Sequence, residues 1–204
     1  MKSLKLFMLL LGSTPQGRNT EQHDVFFGIG SELKDLLPDI IEFWPEAKGK
    51  IHIDAWREVN KVENYSIRVI ARVNNLKATQ RGARLFFLNL GGYKHGDFEE
   101  YHYKILVAAL DKAEAIKKAK ETAFYIHTGF KGATAHIDDK YGVDVDDVYE
   151  ITDILPAALK EKYSIVISKG KQQNEDSLHL GYIKLDKLKN QLPEQKNFSF
   201  KTGL

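Results

Sequence analysis

Residues 5–12 read KLFMLLLG, and residues 84–91 read RLFFLNLG. Nine residues beyond each terminal glycine stands a glutamate followed by x-His: Glu21-Gln22-His23 in the first stretch, Glu100-Tyr101-His102 in the second. Both stretches then run through an apolar segment and a helix-like segment to one tripeptide, His52-Ile53-Asp54 and His136-Ile137-Asp138. Similarity in a fixed order at long period is the mark of one structural unit used twice. The repeat therefore comes first, because it sets the element count and shows which polar residues recur.

Working outward, residues 6–11 are apolar on both strand parities and predict a strand covered on both sides. The turn-rich loop 12–19 leads to a second strand at 23–29. Ser31 is placed to N-cap a helix whose apolar residues Leu33, Leu36, Leu37, Ile40, Ile41 and Trp44 keep helical spacing. Pro38 should divide that helix and Pro45 should end it. Lys48-Gly49 turns the chain into strands at 51–59 and 65–72. In the second copy, strands are expected at 85–90 and 101–109, with an Asp111-capped helix running to about residue 127. Later strands fall at 136–137 and 148–151, and Asp144-Val145-Asp146-Asp147 reads as a solvated acidic turn. A short helix from Asp153, a strand at 163–168 and a last strand at 178–185 follow.

The expected class is α+β. A ββαββ unit occurs twice, its two mainly antiparallel sheets packed about a pseudo-two-fold axis, with a C-terminal extension. The boundaries are 1–77 for the first repeat, 83–168 for the second and 169–204 for the extension. At 204 residues each copy alone is near the size where a core is marginal, so one copy should cover the other.

Composition narrows the function. The net charge of +2 and the lack of a dense basic cluster interleaved with aromatics argue against nucleic acid. No apolar run approaches the ~18 residues of a membrane helix. The chain has no cysteine, which excludes thiolate chemistry and fits a reducing compartment. The apolar N-terminus recurs inside the chain at 85–90, so it reads as a first strand, and a cytoplasmic location is expected. There is no Gly-x-Ser-x-Gly, no P-loop and no dinucleotide fingerprint leading into a helix.

The recurring polar residues are the candidate site: Glu21, His23, His52 and Asp54, with Glu100, His102, His136 and Asp138. Imidazole and carboxylate together suit Zn, Mn or Fe, and an i, i+2 pair on a strand presents two donors on one face. The same groups serve equally as structural hydrogen-bonding partners, the role expected in a non-catalytic interaction module. Alternation puts His52, Asp54 and Trp56 on one face of their strand, away from the helix. Arg18, in a loop rich in turn formers, and Trp56 are candidate ligand-binding residues; a small-molecule ligand and a homodimer are candidate partners. His95, His127 and His179 have no repeated partner.

The segments GRNTEQHDVFFGIG, KIHIDAWREV, LFFLNLGGY and HTGFKGATAHIDDKYGVDVDDVYEI resemble a small bacterial family known as domain of unknown function 1543. Its members carry one or two copies of the domain. The resemblance spans about residues 4–155, implies two tandem copies and brings no activity to transfer.

Overall fold

The computed structural model describes residues 3–72, 82–93, 96, 98–128, 144–170 and 176–188. In chain order the elements are β1 (Lys5–Ser13), β2 (Gln22–Gly30), α1 (Leu37–Phe43), β3 (His52–Glu58), β4 (Lys61–Val62) and β5 (Tyr65–Ala71). They continue with β6 (Arg84–Tyr93), β7 (Glu100–Ala109), α2 (Lys112–Thr128), β8 (Asp144–Glu150) and α3 (Ile151–Ile154). The last are α4 (Ala157–Lys162), β9 (Tyr163–Lys169), β10 (His179–Lys184) and α5 (Leu185–Leu188). The protein is α+β, and its described residues form few helices and three sheets ordered β10-β3-β1-β2, β4-β5-β9 and β7-β6-β8. Every strand pair is antiparallel. No helix among the described residues is long and apolar enough to cross a membrane.

Among the described residues the sheets number three, where two were expected. β5 and β9, the strands expected at 65–72 and 163–168, pair with each other from Tyr65↔Lys169 to Ala71↔Tyr163. In the first sheet the place beside β3 goes to β10, from the C-terminal segment. The described residues accordingly fall into two compact units, those of Met1–Val59 with Asp176–Leu204 and those of Asn60–Glu175. These units do not follow the repeat boundaries, because hydrogen bonding joins segments that are far apart in the chain.

In the first unit, Phe7, Leu9 and Leu11 of β1, Phe26 of β2 and Ile53 of β3 pack under Leu36, Leu37 and Ile40. Leu185 and Leu188 from α5 complete that core. The helical stretch is divided at Pro38, as its sequence predicts. A 3₁₀ turn, Leu33–Leu36, precedes α1, which carries Pro38 in its first turn, where a missing N–H costs nothing. Glu32 rather than Ser31 is the N-cap; Asp35 accepts the N–H groups of both residues at 2.9 Å. In the second unit, Phe86, Leu88 and Leu90 of β6 and Val107 and Ala109 of β7 pack under α2. Ala115 and Ala119, four apart and fully buried, give α2 a flat face that lets the bulky strand residues fill the layer. Asp111 caps α2, accepting the Glu114 N–H at 2.9 Å.

The two central strands are matched residue for residue. Gly12 of β1 lies opposite His23 of β2 and His52 of β3. Gly91 of β6 lies opposite His102 of β7 and Asp144 of β8. Each β1–β3 and β6–β8 ladder slips once, between Leu10 and Leu11 and between Asn89 and Leu90. The residue left over by the slip, a β-bulge, is Asp54 in the first ladder and Asp146 in the second. At the far ends Phe7 faces Glu58 and Phe86 faces Glu150, and the ion pairs Lys5–Glu58 and Arg84–Glu150 recur there.

Two expectations change as a result. The acidic stretch at 144–147 is not a turn but the start of β8, hydrogen-bonded along β6. Asp144 and Asp146 therefore hold the register positions of His52 and Asp54 that the shared tripeptide assigned to His136 and Asp138. His136, Asp138 and the strand expected at 136–137 lie outside the described residues.

Candidate functional site

The first cluster is built on three adjacent strands of one sheet. β2 begins at Gln22 and presents His23, with Glu21 immediately before it. Ser13, at the end of β1, donates its hydroxyl to the Lys50 carbonyl at 2.7 Å and so ties down the approach to β3. His52 stands opposite Gly12, on the face away from Ile53 and Leu11, which pack under the helix. Its side chain is only 8% exposed. The Tyr182 ring of β10 lies against the imidazole, with centroids 4.2 Å apart.

The four polar side chains converge. His23 Nε2 is 3.3 Å from Asp54 Oδ2 and 3.6 Å from Glu21 Oε2. His52 Nε2 is 3.1 Å from Glu21 Oε1 and 3.3 Å from Asp54 Oδ1. Each carboxylate thus turns one oxygen toward each imidazole. Three of those separations are short enough for hydrogen bonds, yet the buried His52 Nε2 and Asp54 Oδ2 have none with acceptable geometry. A buried polar atom left unsatisfied costs about 1–3 kcal/mol, a cost that a group bound between the two would offset. The ligand atoms of a tetrahedral ion bound at about 2.0–2.1 Å lie about 3.4 Å apart, and the four distances bracket that value. Two imidazoles and two carboxylates form a donor set that Zn, Mn and Fe(II) accept.

Gly12 explains itself at this point. A Cβ there would stand 2.3 Å from His52 Nε2 and 2.6 Å from Asp54 Oδ2, in the space where the donor atoms meet. Only a residue without a side chain leaves the centre of the site open. The bulge matters equally, because it lets Asp54 as well as His52 reach that centre.

Glu100, His102 and Asp146 make a second cluster, with donor atoms all within 4.8 Å of one another. His102 Nε2 is 3.3 Å from Asp146 Oδ2 and 3.8 Å from Glu100 Oε2. Sequence reading did not single out Asp146. The signal was present in a spacing: Glu58 follows Asp54 by four residues and Glu150 follows Asp146 by four, whereas Gly142 stands four after Asp138.

The other two candidates lie apart from the first cluster. Trp56 falls beyond the bulge, opposite Leu9, and belongs to the helix-facing core beside Phe7. It stacks on His179 at 3.9 Å with the rings within 8° of parallel. The slip at Asp54 reverses its parity, which simple alternation had placed beside His52. Arg18 is exposed on the loop between β1 and β2, where its N–H closes a turn on the Pro15 carbonyl at 3.2 Å.

The crystal structure of a protein Il1583 from Idiomarina loihiensis superposes on this chain with a TM-score of 0.60. The two are 20% identical, and the match covers 89% of this chain and 98% of that one, so they share a fold. Among curated proteins, none matches the chain. Residues 18–69, which hold Arg18, Glu21, His23, His52, Asp54 and Trp56, match the family described as Domain of Unknown Function (DUF1543).

Proposed function

We propose that the protein binds a divalent ion of the Zn, Mn or Fe(II) class through Glu21, His23, His52 and Asp54. The observation that carries the reading is the pair of buried, unsatisfied atoms, His52 Nε2 and Asp54 Oδ2, aimed at a common centre. An ion there satisfies both, and it neutralises two carboxylates that stand 3.1–3.6 Å from the two imidazoles. The site is open on one side, since the side chains of His23 and Glu21 are 42% and 44% exposed. An ion that prefers six donors would keep positions there for water or a small oxygen-donor ligand, as sites that handle ligands do and closed structural sites do not. We further infer that the two strand ladders descend from one duplicated unit, on the strength of their common order, register, bulge and central glycine. A cytoplasmic setting accords with the absence of cysteine.

Elemental analysis of chain purified without chelator tests the metal reading. About one equivalent of Zn, Mn or Fe that is lost in His52→Ala supports it. Metal-free protein that takes up none of the three ions on addition rejects it, and leaves the four residues as strand-junction contacts of an interaction module.

A further inference from the structure

We infer that Glu100, His102 and Asp146 form a second divalent-cation site, separate from the first and favouring a harder ion such as Mn²⁺. Three observations meet on it. The donor atoms lie within 4.8 Å of one another, with the His102–Asp146 approach at 3.3 Å. Asp146 is the bulge residue of its ladder, as Asp54 is of the other, so the same backbone irregularity brings a carboxylate beside a histidine. Gly91 repeats the role of Gly12: a Cβ there would stand 2.7 Å from Asp146 Oδ2 and 3.0 Å from Glu100 Oε1. A strand-centre glycine that keeps one group of donor atoms uncrowded is unremarkable. Two in the same register, each facing histidine and carboxylate, point to a common purpose.

The two donor sets differ, and the difference sets the ion. The position opposite the central glycine is His52 in the first ladder and Asp144 in the second. The second cluster thus lacks the second imidazole: Glu100, His102 and Asp146 give one imidazole and two carboxylates, against two of each in the first. Fewer nitrogen donors weaken the preference for Zn²⁺ over Mn²⁺, since imidazole suits Zn whereas carboxylate oxygen suits the harder Mn. Exposure acts in the same direction. The side chains of His102, Glu100 and Asp146 are 34%, 39% and 32% exposed, against 8% for His52. Wetter ligands hold the ion less tightly and let it exchange. The second site is therefore the weaker and the less Zn-selective of the two.

The test titrates Mn²⁺ into the metal-free full chain and follows the free ion by electron paramagnetic resonance. Wild type should bind two equivalents, and one equivalent of Zn²⁺ should release one of them, leaving the other bound. Asp146→Asn and Gly91→Ala should each weaken the retained Mn²⁺ by about tenfold or more, since lesser, second-shell changes already cost 10–100-fold. His52→Ala should leave it in place. The two variants damage the site differently, one by removing charge and one by filling space, so misfolding in one leaves the other informative. Mn²⁺ retention that ignores both overturns the inference. Release of both Mn²⁺ ions in parallel as Zn²⁺ is added overturns the assigned preference. The outcome also separates this site from the first: a single Mn²⁺ lost in Asp146→Asn and kept in His52→Ala supports the second site and sinks the first. A single ion with the opposite pattern does the reverse.

Discussion

His52→Ala decides whether the first cluster is a metal site or a set of strand contacts. With metal at about 100 times its dissociation constant, binding adds about 2.7 kcal/mol to the native state. For a chain of 204 residues that corresponds to a rise in melting temperature of about 5–10 °C. His52 supplies one of the four convergent donors and is the most buried of them, so its removal should abolish the rise. The metal-free baseline should behave differently. Wild type without an ion carries two buried unsatisfied atoms, at a cost of about 1–3 kcal/mol each. Removing His52 deletes one of those penalties while opening a cavity beside Tyr182, so the two changes oppose and the metal-free melting point should move little. The large difference between wild type and variant then appears only when metal is present.

Thermal unfolding with chelator and with added Zn, Mn or Fe measures this directly. His179→Ala is the control: it removes the stack on Trp56 and should lower the baseline while leaving the metal-dependent rise intact. Acidification should erase the rise, because protons compete with the ion for the same lone pairs. A His52→Ala protein whose melting point falls equally with and without metal would refute the reasoning, since the histidine would then be acting through packing alone.

Gly12→Ala should fold yet lose metal, because the new Cβ meets the far ends of His52 and Asp54 at 2.3 and 2.6 Å while nothing strains its backbone; circular dichroism with elemental analysis reads both results. Leu185→Ala should cost about 2–5 kcal/mol in denaturant unfolding, since the side chain is buried in the first unit's core; a loss under about 1 kcal/mol would mean that the C-terminal segment is a loose extension. Glu114 accepts the Leu110 N–H at 2.8 Å, which, with help from Lys118, holds its carboxyl below the ordinary value of 4.5. Its contribution is therefore present above that value and lost as pH falls through the depressed one, so Glu114→Gln should destabilise the protein at neutral pH and converge with wild type in acid.

What the sequence disclosed, and what it hid, follows from how far apart the deciding residues lie. β1 and β6 announced themselves because both parities are apolar, a local property of one strand. The division of the first helix at Pro38 was equally local. The pairing of β5 with β9 was not, since nothing in Tyr65–Ala71 or Tyr163–Lys169 says that each will find the other as its partner. β10 likewise reaches β3 from more than 100 residues away in the chain. The site divides along the same line. Glu21 and His23 stand at a fixed count from a landmark glycine and could be read by counting, whereas the strand that pairs with β6 had to be chosen among similar stretches. The tripeptide at 136–138 won on letters, but the strand that meets Gly91 is the one whose aspartate stands four residues before a glutamate able to pair with Arg84. One bulge explains the remaining displacement. By inserting Asp54 into the ladder it carries Trp56 to the core face and leaves two carboxylates and two imidazoles around a glycine whose Cβ would crowd them. A β-bulge changes parity and adds a side chain to one face together, so the residue that alternation misplaces here is a direct by-product of the irregularity that builds the cluster.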